Sequence, residues 1–235
     1  MSTQACRGKN CPEIQKAATA ATGMMRAIRE LEDRLRMETE QRKVAEEKSL
    51  VDPLTQVSTR DGLKAKFSGE LSRVLRFGRG VCVIFIDVDN YGAFNKLHGE
   101  LTGDRVLREV TKTLVGSVRP YDVVCRWGGE EFIVLLPETT SVSEACKVAE
   151  RIRKNVDAMR VKTNNGEGVL TVTVSAGVAA LDDATGLQEL LAKARKFQPI
   201  SKEEADGVLE RLIENANEAE RKAKEAGRNR TCVFL

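Results

Sequence analysis

The chain lacks much of what several function classes require. It has one histidine, His98, and no second cysteine pair that would complete a zinc site. Its 38 basic residues so nearly match its 35 acidic ones that the formal net charge is +3. No large basic field is therefore available to hold a nucleic-acid polymer. No apolar run approaches the ~20 residues needed to span a bilayer, and the N-terminus has no apolar signal core. Membrane insertion is not expected, and a cytoplasmic location is. The six cysteines do not read as a disulfide framework, because Cys82, Cys125 and Cys146 fall inside predicted strands or a helix, where small buried apolar residues belong. Cys6 and Cys11, in a tail containing Gly, Asn and Pro, offer half a metal site or a redox pair.

What is present fits a soluble protein with one core and an appendage: 235 residues, 41% hydrophobic and 31% charged. Residues 1–12 read as a disordered tail, with Pro12 placed to start a helix. From there Ile14, Ala17, Ala21, Met24, Ile28, Leu31 and Leu35 recur in alternating steps of three and four, a heptad seam flanked by Glu, Arg and Lys. The spacing predicts a coiled-coil dimerisation helix over 13–50; a lone amphipathic helix lying on the domain's own core is the alternative. Glu38 and Arg42 fall on the seam and mark a weakened segment able to shift register in signalling. Val51-Asp52-Pro53 closes the helix, and residues 51–235 form the globular domain.

In that domain the pattern predicts helix 60–77, strand 81–87, a short helix 91–98, helix 103–118, a hairpin over 123–136, helix 141–160, strand 169–180 and further helices. Leu187 to Phe197 reads as an additional helix, and a long helix starts near Ser201, which forms a capping box with Glu204. Such alternation argues for an α/β class. Val81 to Ile86 is continuously apolar, as in a strand buried on both faces, and Asp87 ends it. Residues 126–132, Arg-Trp-Gly-Gly-Glu-Glu-Phe, place two glycines and two carboxylates between β-branched runs. By itself this could be an ordinary hairpin turn. Beside Asp87 it also suits a turn that lets backbone approach a metal-bound nucleotide.

Several separated motifs, in order, carry a family resemblance. Asp52-Pro53-Leu54-Thr55, Asp87-Val88-Asp89 with Asn95, Gly103-Asp104, Gly128-Gly129-Glu130-Glu131-Phe132, Thr173 to Val178 and Ala223 to Arg230 together resemble a GGDEF domain in its GGEEF variant. The resemblance implies an α/β (α+β) fold with a central, largely antiparallel sheet flanked by helices, like nucleotidyl cyclases and polymerase palms. It implies a diguanylate cyclase that joins two GTP into cyclic di-GMP as a homodimer. Asp87, Glu130 and the Val88 carbonyl would hold two Mg²⁺, with Mn²⁺ the alternative ion; Glu131 would serve as base or support. Gly128 and Gly129 would clear space for phosphates, Asn95 and Asp104 would read guanine, and Lys224 and Arg228 would contact the β- and γ-phosphates. Asp104 could instead be a helix N-cap. Arg119-x-x-Asp122, with Arg151, resembles a product-inhibition site for cyclic di-GMP.

The chain departs from the family where a phosphate-binding lysine is usual, since Gly92 stands there, and in the closing helix, where Asn217, Glu220 and Arg221 replace the usual Asp, Leu and Tyr. These departures leave a second expectation: a weakly active or inactive module that binds GTP or cyclic di-GMP and signals through the coiled coil.

Overall fold

A computed structural model describes residues 12–77, 80–139, 141–162, 168–181, 187–196 and 198–234. Cys6, Cys11 and all of the expected tail but Pro12 lie outside them, as do residues 182–186 and 197 of the extra segment. The chain divides into two compact units, Met1–Lys48 and Ser49–Leu235.

The first unit is carried by helix α1, Pro12–Ser49, which starts at the proline the sequence marks. Met24, Ile28, Leu31 and Leu35 on the expected seam are all exposed, as are Ala21 and Glu38. The side chains of Ile14, Ala17 and Arg42 lie outside the described ones.

The second unit has helices α2 (Arg60–Phe77), α3 (Tyr91–His98), α4 (Glu100–Gly116), α5 (Val142–Asp157), α6 (Leu187–Arg195) and α7 (Lys202–Glu225). Its strands are β1 (Val81–Val88), β2 (Val123–Arg126), β3 (Glu131–Pro137), β4 (Val161–Lys162), β5 (Val169–Leu170), β6 (Val174–Ala180) and β7 (Thr231–Val233). The central sheet runs β2-β3-β1-β6-β7, with β4 and β5 in a separate two-stranded sheet. All pairings in the central sheet are antiparallel except β6 with β7. The largely antiparallel α/β sheet expected from the resemblance is thus present.

Side-chain parity on this sheet decides what can meet what. Cys82, Ile84, Ile86 and Val88 of β1 face one core with α4 and α5. Val81, Val83 and Phe85 face the other, with α2 and α7. Successive strand residues alternate faces, so Asp87 continues the second set and lies on the α7 side. On β3, Ile133 and Leu135 belong to that same core, so Glu131 shares the face. Asp87 pairs in register with Glu131 on one side and Ser175 on the other.

Three expectations are corrected, and one strand was not anticipated. The single strand over 169–180 is two strands in different sheets, separated at 171–173. The helix expected over 103–118 runs from Glu100 to Gly116, and its N-cap is Gly99 at φ 80; Asp104 is therefore inside the helix, not its cap. Helix α7 ends at Glu225, and Arg228 adopts φ 62, so Lys224 and Arg228 do not share one helical face. Finally, the chain closes with β7, which has no apolar run long enough to announce it and is ordered by pairing with β6. The Ser201–Glu204 capping box forms as expected.

Gly177 explains how closely α7 lies on the sheet. A Cβ there would come within 2.0 Å of the Ala216 carbonyl oxygen and 2.2 Å of the Glu220 backbone nitrogen. Only glycine admits the helix backbone at this distance. The contact brings the C-terminal half of α7 down over Asp87. Cys82 and Cys125 are buried as expected, and burial pushes both thiols up to about 12, which leaves them unreactive.

Candidate active site

The site is built at the end of the sheet where β1 leaves the core. Its backbone frame is the turn between β2 and β3: the Val88 N–H donates to the Glu130 carbonyl at 3.3 Å, and the Trp127 N–H to the Glu131 carbonyl at 2.8 Å. The turn thus lies directly against the exit of β1. Arg126 braces it, donating from Nη2 and Nε to the Gly129 carbonyl at 2.8 and 3.1 Å. The same guanidinium reaches Asp52, with Nη1 3.2 Å from Oδ1. Asp52 also accepts from the Thr55 amide and hydroxyl at 2.8 and 2.6 Å. Burial pushes the Asp52 carboxyl up, but these donors and Arg126 together hold it below the usual value. Asp52 and Thr55 of the opening motif therefore tie into the Gly128–Glu131 turn through Arg126, a residue to which the sequence motifs assign no role.

The acidic cluster follows from parity. Asp87 is buried, and its carboxyl is raised by desolvation and further by the nearby charges of Glu130 and Glu131. Lys224 opposes this, its ammonium 3.0 Å from Asp87 Oδ1. A cationic group thus sits beside the carboxylate where the resemblance places a metal, so Asp87 can take a cation there. Among the described residues no group of three or more His, Cys, Asp or Glu side chains forms a metal-holding array. Asp87 and Glu130 would thus be an incomplete ligand set without phosphate oxygens. Beside the turn, Glu131 folds over Gly128, where a Cβ would lie 2.3 Å from Glu131 Oε2, while a Cβ on Gly129 would meet nothing within 4 Å. In this structure the room at Gly128 serves Glu131.

Lys224 has a second partner, Glu220 Oε1 at 3.2 Å, one turn earlier on α7. Glu220 is 3% exposed, and desolvation raises its carboxyl to about 7. Burial lowers the lysine's own affinity for its proton, but Asp87 and Glu220 more than restore it. The sequence marks Glu220 only as a departure from the family. Its position on the apolar stripe Leu209, Leu212, Ala216, Ala223 is the signal that it is buried.

The residues expected to read the base lie around Gly103 and Tyr91. Gly103 is hemmed in by Asn95 Oδ1 and the Tyr91 hydroxyl, 1.9 and 2.6 Å from a hypothetical Cβ. Asp104, the next residue, raises the Tyr91 phenol, though less than burial does. Asn95 Oδ1 is buried without a hydrogen-bond partner, an unusual state that a ligand donor would relieve. Asp89, two residues after Asp87 in the same motif, is held by protein donors. It accepts from Thr173 Oγ1 at 2.6 Å, Ser175 Oγ at 2.7 Å and the Asn229 amide at 3.1 Å, pinning the closing loop. Arg228, in that loop, is exposed. Gly92 is exposed on α3, with open space where a Cβ would point.

Arg119 and Asp122 form a turn away from this cluster. The Arg119 amide donates to Asp122 Oδ2 at 2.8 Å, and its guanidinium to the Tyr121 hydroxyl at 2.9 Å. Asp122 Oδ1 is buried without a partner, and burial raises its carboxyl, which Arg119 and Arg151 oppose. Arg119 and Asp122 line a groove of about 490 Å³ with Lys66, Ser58 and Val118. Arg151 donates to the Ser117 carbonyl at 2.9 Å.

Residues 49–206 match the family model for "Diguanylate cyclase, GGDEF domain". Response regulator PleD of Caulobacter vibrioides is 35% identical over 147 residues, 63% of this chain and 32% of the relative. Diguanylate cyclase DosC of Escherichia coli is 34% identical over 180 residues, 77% of this chain and 34% of the relative. The chain thus spans about a third of the length of these curated relatives. Among solved structures, diguanylate cyclase SiaD of Pseudomonas aeruginosa in complex with its activator SiaC superposes with TM-score 0.65 at 26% identity, covering 94% of this chain and 76% of that one. No helix among the described residues is long and apolar enough to cross a membrane.

Proposed function

The chain belongs to the GGDEF family of diguanylate cyclases, and on that premise we propose that it condenses two GTP into cyclic di-GMP, releasing pyrophosphate, as a homodimer. The observation that carries this reading is the convergence of Asp87, the Glu130-Glu131 turn and Lys224 at one end of the sheet. In each half-reaction a ribose 3′-hydroxyl attacks the α-phosphorus of the other GTP, and the pyrophosphate oxygen leaves. Catalysis of such a step is mostly positioning and charge neutralisation.

Asn95 and Asp104 orient guanine through its carbonyl and its N1 and N2 donors. Lys224 and Arg228 take the β- and γ-phosphates from two directions, since α7 ends between them. Asp87, Glu130 and the Val88 carbonyl would hold Mg²⁺ or Mn²⁺, which neutralises phosphate charge and acidifies the attacking hydroxyl when bound. Glu131 acts beside them as base or support. One domain holds one GTP, so the bond forms only where two copies face each other. Helix α1, with its exposed heptad stripe, keeps the second copy at high effective concentration. Cyclic di-GMP bound at Arg119 and Asp122 restrains the pair. A second reading, a weakly active nucleotide-binding module, is favoured by Gly92 and by the engagement of Lys224 with two carboxylates.

Incubation of the full chain with GTP and Mg²⁺, followed by chromatography and mass analysis, tests the proposal. Cyclic di-GMP should accumulate and should vanish in Glu130→Gln. GTP left intact over many hours at stoichiometric enzyme would refute the cyclase reading; binding of GTP without turnover would establish the second.

A further inference from the structure

Glu220 is a carboxylate on the buried stripe of a helix whose neighbours there are Ala, Leu and Ile. Burying an ionised group is costly unless it is paired, and removing its partner leaves the whole desolvation penalty uncompensated. Its only ion-pair partner among the described residues is Lys224, at 3.2 Å. The lysine lies between Glu220 and Asp87, with its side chain 31% exposed. Glu220 is buried while the lysine is part-exposed, so movement of the ammonium outward to meet a triphosphate in solvent would draw it away from Glu220. Asp87 can be compensated by a metal ion; among the described residues Glu220 has no second cationic side chain to take the lysine's place. The absence of a cationic side chain at Gly92 makes Lys224 the more important phosphate contact, so a restraint on it weighs directly on nucleotide affinity.

We propose that Glu220 is a positioning residue that holds Lys224 inward against Asp87 and so restrains it from the triphosphate, setting GTP affinity below that of the same site with an uncharged residue at 220. This rests on the reading of Lys224 as a phosphate ligand. It goes beyond that reading in assigning to α7 an internal competitor for the substrate.

The test is calorimetric binding of α,β-methylene-GTP with Mg²⁺ to the full chain, as wild type, Glu220→Gln and Glu220→Leu, each also combined with Lys224→Met. Glu220→Gln preserves shape should leucine disturb packing. With Lys224 present, both substitutions should tighten binding by at least about fivefold, the lower end of usual coupling between sites. With Lys224→Met they should change nothing. A merely structural role would weaken binding or leave it unaltered in both backgrounds. Unchanged or weaker binding by both Glu220 variants, or an equal gain without Lys224, overturns the proposal while the cyclase reading stands. Failure of every form to bind the nucleotide overturns both.

Discussion

Arg126→Ala removes a side chain that touches both the opening Asp52 motif and the Gly128–Glu131 turn. Four contacts disappear: two to the Gly129 carbonyl at 2.8 and 3.1 Å and two to the Asp52 carboxylate at 3.2 and 3.3 Å. Hydrogen bonds to charged groups contribute about 1.5–3 kcal/mol each, and loss of one partner from a buried ion pair costs about 3–5 kcal/mol. The side chains of Arg126 and Asp52 are 17% and 15% exposed, and Asp52 keeps its Thr55 donors. The expected loss is therefore about 3 kcal/mol, read as a lower urea midpoint at unchanged slope. At a temperature where the variant stays folded, cyclic di-GMP formation should still fall roughly 10- to 100-fold, because the Gly129 carbonyl no longer fixes the turn that presents Glu130. Arg126→Lys should recover little, since an ammonium cannot fork between a carbonyl and a carboxylate. A double-mutant cycle with Asp52→Asn isolates the pair. The reasoning fails if Arg126→Ala unfolds within about 0.5 kcal/mol of wild type or if lysine restores full activity.

Stability should also respond to Glu220. Its carboxyl rises from 4.5 to about 7 on folding, so its protonated form favours the fold; that contribution is complete below pH 4.5 and is lost as pH rises through 7. Glu220→Gln should therefore gain on wild type across this window, by up to about 3 kcal/mol, in urea unfolding at a series of pH values; a constant difference would contradict the assignment. Gly177→Ala should destabilise by about 3 kcal/mol or more through backbone overlap with α7, and thermal unfolding would reveal a well-tolerated methyl if the helix can shift. Gly92→Lys meets no obstruction and should lower the KM for GTP; an unchanged KM would show that the site does not miss that cation. Arg119→Ala should relieve inhibition by added cyclic di-GMP with a similar initial rate, and full retention of inhibition would count against that turn as its site.

Much of the architecture was legible because its signals are periodic. The buried β1 run, the Gly-Gly turn between β-branched segments, the Ser201 capping box and the heptad stripe each depend on residues near one another in sequence. What escaped depends on partners far away. The strand expected over 169–180 splits because its two ends pair in different sheets, and β7 exists through β6. The role of Asp89 is equally distant in origin, since its three donors come from Thr173, Ser175 and Asn229.

By itself the sequence determined the family motifs, the order of elements and which residues are chemically able to serve a nucleotide. It also showed that Gly92 and Glu220 depart from the pattern. Only tertiary structure decided what those residues do to one another. Strand parity put Asp87 and Glu131 on the α7 face, Gly177 let α7 come close enough for Lys224 to reach Asp87, and burial turned Glu220 from a mere substitution into a second claimant on that lysine. A charge acquires its energy from the distance to its partner and the water excluded around it, and neither quantity is written along the chain.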